Sequence, residues 1–139
     1  MTTRTENEVR LSLPFAEAME RTRAALQAEG FGVLTTIDMQ AAFREKLGAD
    51  FRPYVIMGAC NPPLAYKALT ASPEVGLMLP CNVTVEEEAP GLSVVRLANP
   101  SRMLGPDPLD HPPAVHQVAS DAEARLARVA DDLRRSTPG

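Results

Sequence analysis

The stretch VIMGACNPPLAYKALTASPEVGLMLPCNVTV, from Val55 to Val85, decides how the chain folds. It holds two related runs, Gly58-Ala59-Cys60-Asn61-Pro62-Pro63 and Leu79-Pro80-Cys81-Asn82-Val83, each with a Cys-Asn pair beside proline. The chain reads as extended from Phe51 to Cys60, with Pro53 near the start, where a strand tolerates it. Asn61 is a natural N-cap, and Pro62 takes the first helical position, where its missing N–H costs nothing. Leu64, Ala65, Ala68 and Leu69 share one face of a helix that ends near Ser72-Pro73. A strand is expected at Val75 to Leu79, broken at Pro80, with extended structure resuming at Val83 and Val85. If strand, helix and strand make a βαβ unit, the two strands run parallel and the crossover is right-handed. Cys60 and Cys81 then stand at the carboxyl ends of their strands, on the rim where open α/β sheets bind ligands. Antiparallel pairing would separate them.

Towards the N-terminus, Val9, Leu11 and Leu13 alternate with Arg10 and Ser12, the period of a half-buried strand. Phe15, Ala18, Met19, Thr22 and Leu26 then fall on one helical face, and Gly30 stands where a helix ends. Phe31, Val33, Thr35 and Ile37 form a second strand. Asp38 caps a short helix with Met39, Ala42, Phe43 and Leu47 inward, stopped by Gly48. Towards the C-terminus, Ala89-Pro90-Gly91-Leu92 is a turn, and Leu92 to Leu97 returns as the partner strand of a hairpin. Glu86 to Glu88 read as a solvated edge strand guarded by charge. Asn99 to Pro113 is proline-rich and without period, a loop. Val115, Val118, Ala122, Leu126, Val129 and Leu133 form the apolar stripe of a last helix, to be buried on the sheet or on a second subunit.

The 139 residues suggest one domain, with a core over about 9–104, a Pro-rich loop at 105–113 and a C-terminal helix at 114–136. A net charge of -4 with scattered Arg and Lys offers no basic field to a phosphate backbone, so no nucleic-acid partner is expected. No run reaches the roughly 20 apolar residues of a membrane span, and the polar segment Met1 to Arg10 is no signal peptide. Two cysteines are too few for a secreted disulfide framework, so the expected compartment is the cytoplasm with both thiols reduced.

The cysteines carry the densest chemistry. Cys60 precedes a helix start, where unpaired N–H groups and the helix dipole favour a thiolate or a small anion. The bland reading is equally physical: free cysteine packs as a small hydrophobe, Asn61 is explained by capping, and Asn82 by the kink after Pro80. Two cysteines without a neighbouring histidine do not make a metal site. His111 and His116, five residues apart, read as solvated rather than ligating. Gly30 and Gly32 lack the three spaced glycines of a dinucleotide fingerprint. Tyr54 and Tyr66 flank the cysteines as hydrogen-bond donors to a cleft or as core tyrosines.

Four motifs in order carry a family resemblance: Gly30-Phe31-Gly32-Val33-Leu34-Thr35, Lys46-Leu47-Gly48, the run from Gly58 through Ala65, and Leu79 to Val83. Over about Val9 to Leu104 the chain resembles the domain of unknown function 302 family. The resemblance implies a TBP-like α+β fold: one twisted, mostly antiparallel sheet of about five strands, helices on one face, plus a C-terminal helix. It also implies a homodimer. It brings no catalytic residue and no cofactor, but both Cys-Asn runs match the family's motif positions. In many relatives a histidine follows the Pro-Pro-Leu-Ala run, where Tyr66 stands here.

Three functional readings result. The first is a cleft lined by Cys60, Asn61, Tyr66, Cys81 and Asn82 that takes a small molecule or an anion. The second is thiol chemistry, with Cys60 as an activated thiolate and Cys81 resolving it. The third is a dimeric interaction module without a small-molecule site, resting on the C-terminal helix and the hairpin edge.

Overall fold

The computed structural model describes residues 7–135. Five strands, β1 (Glu8–Leu11), β2 (Gly32–Asp38), β3 (Tyr54–Cys60), β4 (Cys81–Ala89) and β5 (Leu92–Leu97), form one sheet in the order β1-β5-β4-β3-β2. Every neighbouring pair is antiparallel. The helices are α1 (Phe15–Ala28), α2 (Met39–Leu47), α3 (Pro62–Ala71), α4 (Pro100–Met103) and α5 (Pro113–Arg135), with a 3-10 helix at Pro73–Met78. The fold is α+β, with helices packed on one face of the sheet. Ser136, the last residue of the expected C-terminal helix, lies outside the described residues.

Local chemistry sets these boundaries. The Asp38 carboxylate accepts from Ala41 N at 3.0 Å to start α2, and Gly48 at φ 63° ends it in the left-handed conformation that suits glycine. Alternation then sorts the sheet. Val9 and Leu11, Val95 and Leu97, Val83 and Val85, and Val55, Met57 and Ala59 all face the same core. Against them α1 lays Ala18, Ala25 and Leu26, and α5 lays Leu126, Val129, Ala130 and Leu133. The stripe of α5 is therefore spent within its own chain. A second apolar cluster, of Ala68, Val75, Leu104, Val115 and Ala119, joins α3, the 3-10 helix and the start of α5 beyond the sheet's end.

Several expectations change. β3 and β4 are antiparallel, so there is no βαβ unit. Val75 to Leu79 is not a strand: that run lies mostly in the 3-10 helix at Pro73–Met78. A short apolar run fits helix and strand alike, and here Pro73 suits a first helical turn. The strand begins only at Cys81. The loop expected at Asn99 to Pro113 contains α4, capped by the Asn99 side chain accepting from Arg102 N at 3.2 Å. Glu86 to Glu88 do not lie at an edge, because β4 is the central strand. α2 buries none of its residues, and Leu47 is 71% exposed.

Candidate functional site

The antiparallel pairing that was to separate the cysteines brings them together. Because β4 starts at Cys81, its first residue meets the last turn of β3, and Cys81 pairs with Ala59, one residue short of Cys60. Cys81 is buried, Cys60 is partly exposed and both thiols are free. Burial, and then the nearby Cys60, push the Cys81 thiol up to about 11. At neutral pH Cys81 is a neutral thiol, the opposite of an activated nucleophile. Successive strand residues also point to opposite faces, so the register of Cys81 with Ala59 does not aim it at Cys60.

Asn61 is a structural clasp. It is 8% exposed, its Oδ1 accepts from Leu64 N at 3.4 Å, and its Nδ2 donates to the Glu29 carbonyl at 3.3 Å. Arg125 Nη1 donates to that same carbonyl at 3.2 Å. The start of α3, the end of α1 and the middle of α5 are thus tied at one oxygen. Gly30 is part of this junction: at φ 85° it favours glycine, and a Cβ there would lie 3.0 Å from Asn61 Nδ2. Gly58 answers a different demand, since a Cβ there would press on Thr35 Oγ1 and lie 2.6 Å from Pro80 Cγ.

Cys60, Asn61 and Cys81 line one cavity of ≈ 60 Å³ between the end of the sheet and α3, α4 and α5. Its other walls include Leu64, Ala68, Met78, Met103, Leu104 and Ala119, and they are almost wholly apolar. Tyr66 and Asn82 stand apart from it. Tyr66 is 75% exposed and borders a shallow groove with Lys67, Thr70 and Gln117. Asn82 is exposed and pairs with Gly58 on the strand beside it. The walls given by α4 and α5 were not expected from the sequence. Their signal was present in Val115, Val118, Ala119 and Ala122, spaced as a helical face ahead of the stripe that meets the sheet.

The family model for the domain of unknown function DUF302 matches residues 7–133. The chain belongs to the DUF302 family. A crystal structure of an uncharacterized conserved DUF302 protein from Bacillus stearothermophilus is similar to it, with 35% identity and a TM-score of 0.79. The match covers 91% of this chain and 96% of that one. No curated protein matches. In this DUF302 chain, no group of three or more His, Cys, Asp or Glu among the described residues is placed to hold a metal ion. No helix among them is long and apolar enough to cross a membrane.

Proposed function

We propose that this DUF302 domain binds a small, largely apolar molecule, with an apolar end in the cavity and a polar end beside Cys60 and Asn61. The observation that carries this reading is the cavity itself, apolar on nearly every wall, with Cys60 and Asn61 lining it where β3 passes into α3. Its ≈ 60 Å³ is well below the roughly 150 Å³ of an apolar cavity that admits benzene, so it suits a short alkyl or thioether end rather than a whole ring system. An anion is poorly served there. Asn61 already uses its oxygen on Leu64 N and donates to Glu29, and Cys81 resists ionisation. Thiol exchange between Cys60 and Cys81 gains no support from the raised Cys81 pKa.

The test is methyl NMR on protein carrying ¹³C-methyl methionine, titrated with 1-butanol. Met78 and Met103 methyls, which line the cavity, are expected to shift, while Met19 and Met57 in the sheet core stay still. Ala68→Leu, which fills the cavity, should remove the shifts. Still methyls at saturation, or shifts unchanged in the filled variant, would overturn the proposal.

A second reading, a homodimer, is favoured by β2. This edge strand runs seven residues with no charge before Asp38, and Leu34 and Ile37 are 66% and 48% exposed. Edge strands are normally blunted by charge, proline or a bulge; this one has an irregularity between Val33 and Thr35 but no proline, and its one charge, Asp38, stands at its end. Its chemistry selects an uncharged strand, and a second β2 laid antiparallel about a two-fold axis meets that need on both sides. Sedimentation at tens of micromolar should give a dimer, and Leu34→Lys with Ile37→Lys should give a monomer with an unchanged circular dichroism spectrum. A monomeric parent protein would remove the reading.

A further inference from the structure

The shallow groove beside Tyr66 lies against the apolar cavity. Leu64 and Val118 line both, so these two side chains are a wall that cavity and groove share. From the cap of α3 onward, Asn61, Leu64 and Lys67 follow at intervals of three along one side. A helical side chain covers the turn before its own Cα, which lays Lys67 back over Leu64 towards Asn61. Asp121 is the other charge lining the groove, and its Oδ1 already accepts from Arg125 Nε at 2.9 Å. Among the described residues Lys67 forms no ion pair, and the side chains of Tyr66 and Gln117, also on the rim, form no hydrogen bond. The groove measures ≈ 470 Å³, within the roughly 300–1,000 Å³ of small-molecule sites, whereas the cavity has room only for a ligand's end.

We propose that the molecule taken by the cavity is a short alkyl carboxylate, with its chain end in the cavity and its carboxylate on Lys67. This rests on the reading that the cavity binds an apolar end, and it names the chemistry of the other end. The chain would lie across Leu64 and Val118, the apolar wall common to both spaces. Asn61 cannot answer the charge, because its amide is used on Leu64 N and on the Glu29 carbonyl. Lys67 can, and the Tyr66 hydroxyl and the Gln117 amide are donors for the two carboxylate oxygens. The balance of charge selects the class. One ammonium with one carboxylate nearby, that of Asp121, suits a single negative charge. A phosphate monoester carries about -1.5 to -2 at neutral pH and would meet more repulsion from Asp121. An uncharged alcohol would leave Lys67 unanswered.

The test compares hexanoate with 1-hexanol at pH 7 and low salt, following the Met78 and Met103 methyls of ¹³C-methionine protein. Both compounds should shift those methyls, since both put an alkyl end in the cavity. Hexanoate should bind about three- to fivefold more tightly, the worth of one exposed ion pair. Lys67→Gln should bring hexanoate down to the level of 1-hexanol, and Asp121→Asn should widen the difference. Raising salt to about 1 M should shrink it, because screening then acts within roughly 3 Å. Hexanoate that binds no better than 1-hexanol, or that keeps its advantage in Lys67→Gln, would overturn the inference and leave the cavity reading standing. Methyls that stay still with both compounds would overturn the two together.

Discussion

At the scale of single residues, position in the sheet decides what a charge does. Glu86, which the sequence offered as a solvated edge guard, lies on the central strand with its side chain 6% exposed. Arg52 Nε reaches it at 2.5 Å, Arg96 bonds its other oxygen, and Arg96 also holds Glu8 at 2.9 Å. Burial by itself would raise the Glu86 pKa. The hydrogen bonds and charges of Arg96 and Arg52 outweigh it and hold the carboxyl below its ordinary 4.5. The folded chain therefore binds this proton less readily than the unfolded chain, so stability falls as pH drops. The contribution is complete above about pH 5 and is lost as pH falls below 4.5 through the folded value. Thermal unfolding across pH 7 to 3 should show Glu86→Gln less stable at pH 7 by about 1–3 kcal/mol, the cost of a lost charged hydrogen bond. The gap to the parent should close as acid protonates Glu86. A gap of constant size would mean that the ion pairs contribute nothing.

At the scale of elements, the sequence speaks clearly where a cap or a period is unambiguous and poorly where a short apolar run has no context. Asp38, Gly48, Asn61 and Gly91 marked their boundaries because side-chain acceptors and left-handed glycines act within a few residues of themselves. Val75 to Leu79 has no such marker, and the helix there follows from packing Val75 against Ala68 and Leu104. The conformation of this short run decides where the cysteines lie. With a strand at Val75, antiparallel pairing would have carried Cys81 away from Cys60. With the strand starting at Cys81, the end of β3 meets the beginning of β4, and the cysteines become neighbours under the opposite premise. Tyr66 was within reach of the sequence. It sits two residues from Leu64 and from Ala68, both buried, and two residues along a helix is the far face. The expected inward face of α2 had no such check, since an apolar stripe states what would gain from burial and not whether anything faces it.

At the scale of the whole molecule, α5 decides whether there is a core at all. It covers the sheet with Leu126, Val129, Ala130 and Leu133, and closes the cavity with Val115, Ala119 and Ala122. Val115, Leu126, Val129 and Leu133 are almost fully buried. At about 1.5–3 kcal/mol for each such side chain, they contribute roughly 6–12 kcal/mol. That equals the usual net stability of a domain, about 5–15 kcal/mol, so the remaining chain has nothing to offset their loss. Polar ties add to it: Arg128 Nε reaches Glu29 Oε1 at 2.9 Å and Arg125 reaches the Glu29 carbonyl, both pinning α5 to the end of α1. A chain ended after Pro112 should therefore show no cooperative transition in urea. The separate peptide 113–135, added in excess, should restore one, because it supplies the face that Val9, Val83, Val85 and Val95 lack. A truncated chain that kept a sharp unfolding transition would place the stability in the sheet and α1 alone. It would also return α5 to the role of a surface for a second subunit.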